Sequence, residues 1–249
     1  MRPALTALAK QSRELAFRLL RAIALSFGQE RDFFVNCHQI FTEHGISKLR
    51  SIYYPPINEN VAPGVVRCGE HSGTNYIDRT SIYYYKIQRV QGNKSFIYFR
   101  FEILLYFFNI DYGLITLLYQ DEVGGLEVRG TNNTWIPAKP MKDAILINAG
   151  DFLEIYTNGK LPATVHRVVI PPEEVKRKTS RQSIVFFVHP DHETTIYPLP
   201  KFIEDQDDQK IDGTEKRGIF TSTKEFTNGY QPVNSLEHLF RRLNSTYQY

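Results

Sequence analysis

Between residues 111 and 188 the chain offers a close succession of short strand candidates, at 114–119, 126–128, 134–136, 144–147, 152–157, 164–170 and 183–188. Gly124-Gly125, Asn132-Asn133, Gly150-Asp151 and Asn158-Gly159 punctuate them as turns. Short strands at turn spacing are the signature of a sandwich or jelly-roll barrel. Upstream, residues 47–54 read as a further strand stopped by Pro55-Pro56, and residues 64–68 as one that runs toward His71. The expected fold class is therefore mainly β with flanking helices.

The helices lie at the two ends. Leu8, Leu15, Leu19, Ile23 and Phe27 recur at three- and four-residue steps around a basic face, which predicts an amphipathic helix packed on the barrel. The same stretch is basic and poor in acids, as a transit peptide would be, but its periodicity is that of a packed helix. Residues 29–41 read as a second helix ended by Gly45, residues 204–218 as a polar surface loop, and residues 235–243 as a last short helix. This divides the 249 residues into a helical region (1–48), a barrel (49–200) and a tail (201–249).

A formal net charge of +3 is too small to imply a nucleic-acid partner. Two cysteines, Cys37 and Cys68, cannot build a disulfide framework, which fits a reducing, cytoplasmic compartment. The most apolar window, residues 95–119, contains Arg100, Glu102, Asn109 and Asp111 and is no membrane span. A monomer acting on a small molecule is the expectation.

Residues 73–110 break the composition. These 38 residues hold six of the chain's 15 tyrosines and five of its 17 phenylalanines, including Tyr83-Tyr84-Tyr85, and show neither helical nor strand periodicity. An abundance of Ile, Tyr, Phe, Asn and Lys is what A/T-rich non-coding DNA yields when translated, so the segment reads as an insertion. Without it, His71-Ser72 would run directly into Asp111, giving a His-x-Asp motif. In a strand, residues i and i+2 share a face, so this motif sets an imidazole beside a carboxylate. A later histidine, His166, could complete a two-His, one-carboxylate set, which leaves three positions of an octahedral metal open. Zn(II) accepts the same ligands, and any one of these histidines alone is more often a packed or surface residue.

Arg181 and Ser183 have the same i, i+2 relation on an otherwise apolar strand. A guanidinium facing inward needs an anion, and its planar fork beside a hydroxyl suits a carboxylate. The bland alternative is an arginine facing outward from an edge strand.

Taken together, Asp111-Tyr112-Gly113 running on to Gly124-Gly125, Trp135-Ile136-Pro137, Asn148 to Asp151, Thr157-Asn158-Gly159, His166-Arg167-Val168 and Arg181-Gln182-Ser183 resemble the isopenicillin N synthase-like 2-oxoglutarate/Fe(II) dioxygenases. Tyr53-Tyr54-Pro55-Pro56 and Gly69-Glu70-His71-Ser72 resemble the upstream part of that family. The resemblance implies a double-stranded β-helix and Fe(II) ligands at His71, Asp111 and His166. It also implies a 2-oxoglutarate distal carboxylate held by Arg181 and Ser183, assisted by Tyr54 or, failing that, Tyr53. O2 would complete the reactants, with succinate and CO2 as co-products. Trp135 is expected in the core, Asn148 and Asp151 at a turn behind the ligands, and His38, His44, His189, His192 and His238 outside the ligand set. Family members usually carry a longer N-terminal region, and they lack the insertion between the first two ligands. A binding protein that has lost its iron, and a zinc hydrolase with the same triad, are the competing classes. The hydrolase leaves Arg181 and Ser183 without a task.

Overall fold

The computed structural model describes residues 2–38, 47–57, 66–71, 82–85, 112–130, 132–204 and 232–246. Asp111, His44, most of residues 73–110 and the 205–231 tail lie outside the described residues. Two antiparallel sheets face one another. The larger contains β1 (Lys48–Tyr54), β3 (Ile82–Tyr85), β4 (Ile115–Gln120), β7 (Leu146–Ala149) and β9 (Arg181–Val188), in the order β3-β1-β9-β4-β7. The smaller contains β2 (Val66–His71), β5 (Leu126–Arg129), β6 (Trp135–Pro137) and β8 (His166–Val169), in the order β2-β8-β5-β6. A two-residue ladder, β10 (Thr195–Ile196) with β11 (Val233–Asn234), forms a separate antiparallel pair.

Strand alternation explains how the layers separate. Along β9, Val185 and Phe187 enter an inner cluster with Ile52 and Tyr54 of β1 and with Leu126 and Val168 of the smaller sheet. Phe186 and Val188, of opposite parity, join Leu49, Ile115 and Leu117 in a second cluster under α1 (Arg2–Ser26). The first cluster is the space between the sheets; the second is the outer face that α1 covers. Burying each large apolar side chain there contributes about 1.5–3 kcal/mol.

The helix meets the sheet along a narrower line than its leucines suggest. Its fully buried positions are Ala9, Ser12, Ala16, Leu20 and Ala24, with Leu15, Leu19 and Ile23 half-buried on the flanks. Small residues along the spine let the backbone approach closely, and Ser12 Oγ meets Tyr119 Oη at 2.8 Å.

Three expectations are corrected. Residues 152–157 do not extend: α2 (Asp151–Tyr156) is a helix buried on every side. Six residues with charges only at Asp151 and Glu154 show no clean period, so the segment could not be distinguished from a buried strand. Where a second helix was expected, the described residues to His38 form turns and one 3-10 turn, Val35–Cys37. Trp135 is not in the core. It lies half-exposed on the outer face of the smaller sheet, with the Arg167 guanidinium 4.1 Å from its ring and Arg167 paired to Glu127 at 2.7 Å. Short helices α3 (Glu174–Arg177) and α4 (Pro200–Glu204) precede and follow β9, and the expected last helix is α5 (Ser235–Thr246).

Two histidines are buried near the end of β9. Burial pushes His38 down to about 4 and His189 down to about 3, Lys48 adding to the effect at His189. Both stay neutral in the fold and protonate near 6.5 when unfolded, so the unfolded chain binds more protons between these values. Stability is therefore full above pH 6.5 and lost as pH falls toward 4, by up to about 1.4 kcal/mol per pH unit for each histidine. Urea unfolding at pH 7, 5.5 and 4.5 should show this loss, and His189→Asn should flatten it. A pH-independent midpoint would contradict the assignment.

Candidate functional site

Arg181 and Ser183 open β9 on the face that also carries Val185 and Phe187, so they point between the sheets. β9 is a central strand, flanked by β1 and β4, not an edge. Arg181 is 1% exposed. Its Nε donates to the Gly124 carbonyl at 2.8 Å, and Nη1 donates to Ser183 Oγ at 3.3 Å. Tyr54 sits opposite Arg181 in the β1–β9 register, with its ring 4.9 Å from the guanidinium carbon. Tyr53 is 47% exposed and faces away. Among the described residues no carboxylate lies at ion-pair distance from Arg181.

The Gly124-Gly125 turn is part of this site. Both residues have positive φ, +77° and +88°, a conformation that glycine alone adopts without strain. A Cβ at Gly125 would lie 2.6 Å from the Val169 carbonyl oxygen. The turn thereby presents the Gly124 carbonyl to Arg181 while pinning β5 to β8.

His166 shares its strand face with Val168 of the inner cluster. Its Nδ1 lies 3.0 Å from the Thr164 carbonyl oxygen. A carbonyl only accepts, so Nδ1 carries the proton and the ring's lone pair is left at Nε2, the arrangement a metal-binding imidazole requires. The β2–β8 register sets position 71 directly opposite position 166, and opposed positions of an antiparallel pair share a face. Asp111 lies outside the described residues, but the residues after it are tightly placed. A Cβ on Gly113 would come 2.2 Å from the Val188 carbonyl oxygen, and Leu114 N donates to that oxygen at 2.9 Å. The Asp111-Tyr112-Gly113 motif therefore needs glycine at its third position so that the chain can press against the end of β9. Gly113→Ala should cost several kcal/mol or prevent folding; an unfolding midpoint equal to the parent's would contradict this close approach.

The arrangement fits the two groups it would have to hold. Two histidine positions face each other on one sheet, one with its tautomer fixed for ligation. Across the inner space, a buried guanidinium and a hydroxyl lack any carboxylate among the described residues, which suits a dicarboxylate. Sequence reasoning missed the Gly124 carbonyl, Arg67 and the Asp151 network with His238 and Arg242. Gly124 was visible only as a turn; the signal for Arg67 was a charge directly after Val65-Val66.

Known proteins point the same way. Residues 46–190 match the profile of the 2OG-Fe(II) oxygenase superfamily. A 2-oxoglutarate-dependent dioxygenase of Aspergillus rugulosus is 30% identical over 204 residues, covering 78% of this chain and 49% of that protein. The 1-aminocyclopropane-1-carboxylate oxidase 1 of Cucumis melo is 42% identical over 99 residues, 39% of this chain and 30% of the oxidase. Among solved structures, a full-length Neurospora crassa protein in complex with alpha-KG superposes with a TM-score of 0.68 at 28% identity, covering 99% of this chain and 57% of that one. The chain thus spans about half, or less, of the length of these relatives.

Proposed function

This chain belongs to the 2OG-Fe(II) oxygenase superfamily, and from that premise we propose that it is an Fe(II)- and 2-oxoglutarate-dependent dioxygenase, an oxidoreductase that hydroxylates or desaturates a small organic substrate. The observation that carries this reading is Arg181, a buried cation beside Ser183, aimed between the sheets with no carboxylate partner among the described residues.

In this reading His71, Asp111 and His166 hold Fe(II), and Arg181, Ser183 and Tyr54 hold the distal carboxylate of 2-oxoglutarate. Bound there, Fe(II) and 2-oxoglutarate would supply O2 activation, with succinate and CO2 as co-products of substrate oxidation. The chain's own groups orient and exclude. The Thr164 carbonyl fixes the His166 tautomer. The Gly124 carbonyl and Ser183 Oγ fix the Arg181 fork, so little freedom is lost when a carboxylate docks. Ile52, Val185 and Phe187 keep water from the space between the sheets. The Neurospora crassa protein has also been solved with alpha-KG and thymine, a small heterocycle, which supports a small organic substrate here. The cysteine content supports a cytoplasmic location, and no described helix is long and apolar enough to cross a membrane.

Calorimetric titration of the Mn(II)-loaded chain with 2-oxoglutarate, followed by an aerobic succinate assay with Fe(II), tests the proposal. Arg181→Gln should weaken 2-oxoglutarate by about 30-fold, as losing a charge-assisted pair does in a buried site. Unchanged affinity in that variant, or no 2-oxoglutarate binding by the parent chain, would overturn it.

A further inference from the structure

A second guanidinium is bonded to the backbone that leads into the strand of the first, and the chemistry assigned so far gives it no role. Arg67 of β2 is 7% exposed. Its Nη2 donates to the carbonyls of Arg177 and Thr179, at 3.2 and 3.4 Å, just before β9 begins at Arg181. Its Nε and Nη1 are buried without a hydrogen-bond partner. Burial and the charge of Arg181 hold the Arg67 guanidinium below the usual arginine range, with Tyr54 and Asp121 acting in the opposite sense. Asp121 does not form an ion pair with it: the Asp121 carboxylate accepts from Val123 N at 3.1 Å and from Gln182 N at 2.5 Å. No carboxylate among the described residues lies at ion-pair distance from Arg67.

Two buried guanidiniums that feel each other's charge repel, and two unpaired N–H donors in a low-dielectric interior are costly. A fold retains such a pair when an anion brings them together. The anion must be planar enough for a fork and reach the mouth of β9 where Arg181, Ser183 and Tyr54 already converge. We propose that Arg67 is a positioning residue for 2-oxoglutarate, adding a second guanidinium to the site of its distal carboxylate. This rests on the dioxygenase reading. Arg67 is tied to the backbone leading into β9, so it holds the carboxylate from the smaller sheet while Arg181 holds it from the larger. Its charge would favour a dicarboxylate 2-oxo acid over one that ends in a methyl group.

The test compares 2-oxoglutarate with 2-oxopentanoate, which keeps the chelating end and lacks the distal carboxylate. Both are titrated calorimetrically into Mn(II)-loaded full chain, as parent, Arg67→Gln and Arg67→Lys, with a thermal melt of each. Arg67→Gln should weaken 2-oxoglutarate 10- to 30-fold and change 2-oxopentanoate less than twofold. Arg67→Lys should recover to within about fivefold of the parent and carries the comparison if Arg67→Gln does not fold. Equal loss for both ligands would show a structural role, and unchanged 2-oxoglutarate affinity would show none; either overturns the inference while the dioxygenase reading stands. A parent chain that does not bind 2-oxoglutarate removes both.

Discussion

Joining Ser72 to Asp111 by deleting residues 73–110 is expected to tighten Mn(II) binding by on the order of 100-fold and to raise 2-oxoglutarate-dependent succinate release with it. Closing a loop of 38 residues costs only about 3 kcal/mol plus a constant, which a packed barrel absorbs. The register is the larger demand. Bonded residues sit about 3.8 Å apart, and a ligand displaced by about 1 Å loses much of its metal affinity. With the insertion, nothing covalent holds position 111 two residues beyond position 71. The structure adds a competing effect: Ile82–Tyr85, inside the segment, pairs with β1 from Leu49 to Ile52. Deletion therefore exposes the edge of β1, and the deleted form should show a somewhat lower melting temperature even as its metal site improves. Equilibrium dialysis with Mn(II), paired with the succinate assay, reads both arms. Equal metal affinity and turnover in the two forms would mean that the insertion is a tolerated loop. Finding the 38 residues in most mature transcripts would refute their origin as translated non-coding DNA. Tight metal binding by neither form would favour the protein that has lost its iron.

The barrel was legible because turn signals such as Gly124-Gly125 and Asn158-Gly159 separate its short strands. Arg181, Ser183, Val185 and Phe187 fall on one face of β9 whether read from the sequence or from the packing, and that parity turns Arg181 inward. Legibility failed where period vanished. Residues 151–156 are buried all round, so helix and strand looked alike. Trp135 looked like core by its size alone, yet Arg167 and Glu127 show that its face of the sheet is outward. The Gly124 carbonyl is a backbone group and leaves no trace in side-chain chemistry. Arg67 became meaningful only once Arg177 and Thr179, over a hundred residues away, were seen beside it. Contacts of that sequence separation have no local signature.

Asp151→Ala should cost about 3–5 kcal/mol. Asp151 is buried and ties α5 to the barrel. His238 Nε2 lies 3.1 Å from its Oδ2, and Arg242 Nε lies 2.9 Å from the same oxygen, close in distance though off-line for a hydrogen bond. Removing the carboxylate takes away the countercharge of a buried guanidinium, which is worse than losing the attraction alone. For a chain of this size the loss corresponds to roughly 6–20 °C in Tm. Tyr112 would carry the effect toward the proposed ligand Asp111. Its fully buried ring lies 5.2 Å from the Arg242 guanidinium carbon and 6.1 Å from the His238 ring, and it directly follows Asp111. Loosening α5 should therefore weaken Mn(II) binding as well as lower Tm. Asp151→Asn, which keeps an acceptor, should fall between. A cycle with Arg242→Met separates the pair from the packing: the double variant should recover part of the loss, because it removes the guanidinium together with its countercharge. Additive losses would show that Asp151 and Arg242 act independently, and a cost under about 1 kcal/mol for Asp151→Ala would show that α5 is held by its apolar face alone.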